Sequence, residues 1–275
     1  TLTDEEINRA KSFFTEPPYP TLDGDAAQAE LAQQCDADPI FGNWVKRNTV
    51  EHRVAGHRIV NLSLKATGYA PGDVTDAQLE LVADLADEFS FGEIRTTHQQ
   101  NMVLADVRMD QLYSLWQRLQ GAGLATPNHG YLTDMICCPG GDYCSLANAK
   151  SIPVAEAIQS RFDDLDYLYD LGPIELNISG CMNACGHHHI GHIGILGVDK
   201  KGEEFYQVCL GGSQAKDASI GKILGPSFSQ QDMPDVIEKL LSTYLDLREG
   251  EEIFLDTYRR VGIEPFKERV YAKAD

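Results

Sequence analysis

The sequence predicts an α+β protein made of two units in series. Between residues 51 and 126 the apolar pattern runs strand, helix, strand, strand, helix. Beyond residue 127 a second α/β pattern begins, and it holds both of the chain's close cysteine pairs. Thr126-Pro127-Asn128 separates the two as a turn-forming break.

Residues 1–50 read as a leader. A short helical stretch over residues 4–14 meets Glu16-Pro17-Pro18-Tyr19-Pro20, where prolines interrupt any regular element. An Ala/Gln-rich helix and an irregular segment near Trp44 follow, and this part is expected to wrap over another surface. From His57 the pattern sharpens, because Val60, Leu62 and Leu64 alternate with polar residues as in a half-buried strand. Thr75-Asp76-Ala77-Gln78 reads as a capping box that starts a helix with Leu79, Val82, Leu85, Ala86 and Phe89 on one face. Residues 93–97 and 101–105 read as two strands joined by a short turn. Leu112, Leu115, Trp116 and Leu119 then recur at helical spacing. This order is most of a split βαβ unit of the ferredoxin-like kind. In the second unit, residues 147–161 read as a helix, 174–178, 190–198 and 204–210 as strands, and 232–248 and 252–260 as terminal helices.

A chain of 275 residues, 43% of them hydrophobic, can bury a sizeable core. No apolar run approaches a membrane span, and Thr-Leu-Thr-Asp-Glu-Glu at the start lacks the basic and apolar regions of a signal peptide. A cytoplasmic location with reduced thiols is therefore expected, with no membrane partner. The formal net charge of −19 argues against a general nucleic-acid binder, which needs basic surface to meet phosphates. An anionic substrate stays compatible, because a local basic pocket can outweigh a distant acidic surface that salt screens within about 10 Å.

The chemistry concentrates in four cysteines. Cys138-Pro139-Gly140-Gly141-Asp142-Tyr143-Cys144 and Ser179-Gly180-Cys181-Met182-Asn183-Ala184-Cys185-Gly186 each place a tight pair in glycine-rich surroundings. A [4Fe–4S] cube needs four thiolates arriving from different directions, which two loops from separate parts of a chain can supply. Glycines let the backbone approach the inorganic core and aim amides at its sulfurs. A four-cysteine zinc site is the first alternative, although its ligand pairs are usually two to four residues apart and the first pair here is wider. Buried thiols packing as small hydrophobes are the second. Cys137, Cys35 and Cys209 read as packing or spare thiols.

From about His52 onward these residues resemble the sirohaem- and [4Fe–4S]-dependent nitrite and sulfite reductase family, specifically its C-terminal, cluster-bearing half. The resemblance is carried by C-x5-C followed by C-x3-C. It extends to Gly92-Glu93-Ile94-Arg95-Thr96-Thr97-His98-Gln99-Gln100-Asn101 and to the run from Gly186 through His187-His188-His189-Ile190-Gly191 to His192. It implies a ferredoxin-like half domain over residues 51–126 and a [4Fe–4S]- and sirohaem-binding domain over residues 127–275. It also implies Cys138, Cys144, Cys181 and Cys185 as cluster ligands, with the Cys185 sulfur doubling as axial ligand to the sirohaem iron. The implied reaction is the six-electron reduction of nitrite to ammonia or of sulfite to sulfide, with ferredoxin or a flavoprotein as electron donor.

Members of that family have two homologous halves, and the basic residues that grip the oxyanion come mainly from the first. With Thr1 in place of Met, the chain is expected to be a processed or C-terminal fragment of a reductase about twice as long, or one half of a two-chain assembly that pairs with a homologous chain. The alternative is an iron–sulfur electron-relay or interaction module without sirohaem.

Several side chains have two readings. The Arg95 fork suits a sirohaem carboxylate, or else a surface salt bridge. Gln99 and Asn101 would meet the macrocycle edge or hold their own turn. Asn183 would bond cluster sulfur or a sirohaem carboxylate, or stabilise its loop. Lys150 and Arg161 fall on the helix expected after the first pair, Lys150 as a solvated lysine. Adjacent histidines on a strand point oppositely, so the run from His187 to His192 is expected to place one imidazole near the cluster rather than build a second metal site.

Overall fold

The computed structural model describes residues 2–214 and 216–272. Helix α1 (Asp4–Lys11) starts with a capping box between Thr3 and Glu6 and buries none of its residues. Helices α2 (Gly24–Ala37) and α3 (Pro39–Asn48) are capped by Asp23 and Asp38, and Pro39 occupies the start of α3 where its missing N–H costs nothing. Trp44, expected in an irregular segment, is therefore helical. With Phe41 and Val45 it forms an i, i+3, i+4 stripe that enters the first core beside Leu31.

The first sheet is antiparallel, with strands β1 (Thr49–Glu51), β2 (His57–Leu62), β3 (Arg95–Thr96) and β4 (Met102–Arg108) in the order β1-β2-β4-β3. Helix α4 (Asp76–Phe89) lies between β2 and β3 in the chain, and α5 (Leu112–Gly121) follows β4. The expected strand, helix, strand, strand, helix order is present, with β1 added at the edge. Strand β3 is shorter than expected because Phe91 and Gly92 both adopt positive φ and Glu93 closes a turn onto Ser90. Leu79 sits in the first turn of α4 and stays exposed, while Val82, Leu85, Ala86 and Phe89 are buried.

The second unit holds a mixed sheet in the order β5-β6-β7-β8-β9. Strands β5 (Ile136–Cys137), β6 (Leu176–Ser179) and β7 (Ile193–Lys200) are parallel, and β8 (Glu203–Leu210) and β9 (Lys222–Ile223) continue antiparallel. Helices α6 (Ile152–Arg161) and α7 (Leu165–Leu171) precede β6, and α8 (Met233–Leu247), α9 (Phe254–Val261) and α10 (Glu264–Tyr271) end the described chain. The second core packs Val154, Ile158, Ile178, Ile195, Ile237, Leu240 and Phe254 among others. Helix α6 begins five residues later than expected. Asn148 and Ala149 donate instead to the Gly180 carbonyl, and Lys150 bridges to Gly140. Strand β7 begins at Ile193 because His188–Ile190 make a 3-10 turn.

Contacts from α3 tie the leader to both units. Asn48 Nδ2 donates to the Asn61 and Thr126 carbonyls, and the Arg47 guanidinium lies 3.3 Å from the centre of the Tyr169 ring. The leader's α3 thus reaches both units. Among the described residues no helix is long and apolar enough to cross a membrane.

Candidate functional site

Parallel strands end in loops at a common edge, and ligands of α/β sheets gather there. Strands β5 and β6 are neighbours, with Cys137 paired to Ile178. The carboxyl end of β5 runs directly into Cys138, and that of β6 into Gly180 and Cys181. Chain connectivity and register together bring the two cysteine loops side by side.

Hydrogen bonds join the loops. Cys138 N–H donates to Ile178 O at 3.0 Å, Asn148 and Ala149 N–H donate to Gly180 O at 2.9 and 3.0 Å, and Gly180 N–H donates to the Cys138 sulfur at 3.0 Å. That last contact aims a backbone amide directly at a cysteine sulfur. The approach is possible only without side chains. A Cβ on Gly180 would stand 2.6 Å from Gly140 Cα, and one on Gly186 would stand 1.9 Å from the Ile178 carbonyl oxygen. The second loop turns twice through the left-handed region at non-glycine residues, Ala184 (φ 57°) and His187 (φ 55°). Such conformations cost energy and persist where the surroundings hold them.

All seven cysteines are free thiols. Cys138 and Cys181 are buried, Cys144 is half-buried and Cys185 is exposed. Three large apolar side chains of the same loops also face solvent, Tyr143, Leu146 and Met182, at 82%, 73% and 84% exposure. Among the described residues no group of three or more His, Cys, Asp or Glu side chains is gathered to hold a single metal ion. A cube makes a different demand, because each of its thiolates binds a separate iron and the sulfurs stand around the core rather than meet at a point. Four free thiols on two joined, glycine-lined loops suit that demand.

Comparison with known proteins gives the same answer. Residues 131–275 match the nitrite and sulphite reductase 4Fe-4S domain, and residues 59–122 match the nitrite/sulfite reductase ferredoxin-like half domain. The chain belongs to the nitrite and sulphite reductase family. A sulfite reductase [ferredoxin] 2 of Mycolicibacterium paratuberculosis is 31% identical over 215 residues, 74% of this chain and 38% of that protein. A ferredoxin–nitrite reductase of Synechococcus elongatus is 27% identical over 226 residues, 78% of this chain and 42% of that protein. The solved structure of Mycobacterium tuberculosis NirA superposes with a TM-score of 0.64 at 26% identity, covering 80% of this chain and 42% of that one. The chain thus spans about two fifths of the length of these relatives.

Within the chain the residues singled out from sequence fall in different places. Cys138, Cys144, Cys181 and Cys185 share the joined loops. Asn183 is exposed in the second of them. Asn101 is buried and fully engaged: Oδ1 accepts from Leu64 N–H at 3.0 Å, and Nδ2 donates to Asp134 at 2.8 Å. It ties the half domain to the cysteine-bearing unit. Gln99 offers its backbone carbonyl to Lys65 Nζ at 2.7 Å and lines a small cavity with Asp134, Glu175 and His192, away from the cysteine loops. Arg95 is exposed, pairs with Glu93 at 2.5 Å, and lines a cavity with Tyr19, His52 and Asp106. Its neighbours Thr96 and Thr97 line instead the cavity of about 390 Å³ beside Cys137, Pro139 and Tyr143.

The histidines are not on a strand. His188 and His189 meet edge to face in the 3-10 turn with ring centres 4.4 Å apart, and burial, with the neighbouring His189, lowers His188 to about 4, leaving it neutral. Cys137 packs in the second core, where burial raises its thiol far above the usual range. Cys209 is buried too, and its thiol is pushed up to about 11. Two residues that sequence reasoning passed over bond the backbone leading into the first cysteine loop. Gln100 embraces the peptide of Cys137, and Lys65 is buried at the seam. Lys65 ends the alternating run Val60, Leu62, Leu64, and a lysine closing an apolar strand next to a turn was the available signal.

Proposed function

We propose that this chain is the cluster-bearing half of a nitrite or sulfite reductase, with Cys138, Cys144, Cys181 and Cys185 as ligands of one [4Fe–4S] cluster. The observation that carries the reading is the joining of the two cysteine loops through Gly180. Its N–H bonds the Cys138 sulfur, and its carbonyl takes two amides from the loop of Cys144. Cys185, the exposed member of the four, would hold a sirohaem iron as well as the cluster. Tyr143, Leu146 and Met182 then gain cover from the macrocycle or the other half, at about 25 cal/mol for each Å² of apolar surface removed from water.

When bound, the coupled cluster and sirohaem supply electrons singly, so that nitrite reaches ammonia or sulfite reaches sulfide after six. The chain's own part is to hold four thiolates in place, aim amides at their sulfurs and keep Cys138 and Cys181 dry. The residues that grip the oxyanion belong to the other half of the reductase or to a homologous chain, consistent with a chain spanning about two fifths of its relatives. The electron donor is ferredoxin, as the names of the relatives state for themselves, or a flavoprotein, and the proposed setting is the cytoplasm.

The test is anaerobic reconstitution. Ligation by four thiolates predicts about four iron and four labile sulfide per chain, whereas stoichiometric zinc without labile sulfide would overturn the reading. Coexpression with the sirohaem pathway should add the visible band of an iron macrocycle. Labile sulfide without that band would turn the assignment toward an electron relay.

A further inference from the structure

Lys65 is 1% exposed, among the largest fully buried side chains of the protein. Its ammonium donates to two backbone carbonyls, Gln99 O at 2.7 Å and Met135 O at 3.0 Å. Among the described residues it takes part in no ion pair. The nearby Asp134 is already served by other donors. Asn101 Nδ2 and Gly130 N–H bond it at 2.8 and 2.9 Å, and His129 Nδ1 stands 3.0 Å away. Burying an ammonium costs several kcal/mol even after relaxation, and breaking even is rare without an opposite charge. Asp134 offsets part of that cost while sharing its oxygens with three other groups, so the buried ammonium is suited to a further negative centre besides Asp134.

The position of that centre follows from the chain. Met135 O belongs to the segment that runs through β5 into Cys138, three residues on, a span of about 10 Å at extended rise. Charges at such a range inside a protein are not screened by salt as surface charges are. Burial lowers Lys65 to about 8, with Asp134 and then Cys137 working in the opposite sense, so the group still carries its proton at neutral pH. A cluster held by four thiolates is anionic, and reduction adds one more negative charge with no bond made or broken.

Resting on the four-cysteine ligation proposed above, we propose that Lys65 is the counter-charge of the cluster: its fixed ammonium favours the reduced, more negative state and sets the reduction potential upward. Lys65 is a positioning residue in this sense, acting through the field it casts and through its grip on the Met135 carbonyl. It also makes the half domain, which supplies it, part of the redox centre.

The test is a potentiometric titration of the reconstituted protein with dithionite as electron source, followed by the EPR signal of the reduced cluster, for wild type, Lys65→Met and Lys65→Arg. Lys65→Met should move the midpoint to more negative values and Lys65→Arg should restore it, a pattern that packing alone does not produce. Equal midpoints for all three at full iron content overturn the proposal. If Lys65→Met takes up no cluster, iron and sulfide contents of Lys65→Gln and Lys65→Arg decide. The charge account requires the Arg variant to load and the Gln variant to load poorly. Failure of both, or equal loading with one midpoint, overturns it. A wild-type protein that takes up no iron and sulfide removes the ligation reading itself, and Lys65 with it.

Discussion

The carboxamide of Gln100 and the peptide of Cys137 form a closed pair of hydrogen bonds, Nε2–H to the carbonyl and N–H to Oε1, each 2.8 Å long. Strand β5 is the edge of its sheet, and Cys137 would otherwise leave both backbone groups unpaired on the outer side. One side chain from the half domain thus serves as a missing strand, one residue before a proposed ligand. Gln100 can do this because its backbone is left-handed (φ 58°), which turns its side chain out of the register of β4.

Replacing Gln100 by alanine removes both bonds. At about 0.5–1.5 kcal/mol net for each, the expected loss is roughly 2 kcal/mol of folding stability. Urea unfolding of the cluster-free protein measures it as a lower midpoint at an unchanged denaturant slope. An unchanged midpoint would mean that water serves the Cys137 peptide equally well.

Gly180→Ala places a methyl group 2.6 Å from Gly140 Cα and 2.7 Å from the Ala149 carbonyl oxygen, so the loops must part. Iron and sulfide bound after reconstitution should fall well below the wild-type content. Gly121→Ala is the control, since nothing lies within 4 Å of its added Cβ, and in a helix it should be neutral or stabilising by up to about 1 kcal/mol.

Arg95→Ala tests the fork on β3. The Arg95–Glu93 pair is well exposed and such pairs are worth about 0–1 kcal/mol. Because Arg95 lines the cavity of Tyr19 and His52 rather than the one beside Cys137, cluster content and folding stability should both stay close to wild type. A loss of macrocycle absorbance in the coexpressed variant would restore Arg95 to the sirohaem.

What the sequence made legible follows from which interactions are local. Cysteine spacing is a local property, so the two loops stood out, and one capping box with apolar periodicity gave the order from β2 to α5. The turn at residues 97–101 is legible in the sequence, but the partners of its amides are not. Sequence alternation does not show that Gln100, between Gln99 and Asn101, adopts positive φ and points the other way. Helix α3 was hidden by the prolines before it, although Asp38-Pro39 is itself a helix start. The late start of α6 was unreadable because Asn148 and Ala149 are recruited by Gly180, and Lys150 by Gly140 and Glu204, all from other parts of the chain. Lys65 escaped for the same reason, since its acceptors come from two other segments.

Burial also gives Lys65 a pH signature of its own in the cluster-free protein. Its pKa falls from 10.5 when unfolded to about 8 when folded, chiefly through burial, with Asp134 and Cys137 opposing. A group that binds its proton less tightly when folded destabilises the fold wherever it is charged in both states. Below about pH 8 that cost is full. Between about 8 and 10.5 the unfolded chain holds more proton than the folded one, so this contribution to stability rises with pH. One pKa unit is about 1.4 kcal/mol, which makes the whole rise about 3 kcal/mol at most. Lys65→Met carries no such titration, and the wild type should therefore gain on it as the pH is raised from about 8 to 10 under reductant. Urea midpoints of the two proteins across that range measure the gain, and parallel curves would show that the folded lysine keeps its ordinary proton affinity.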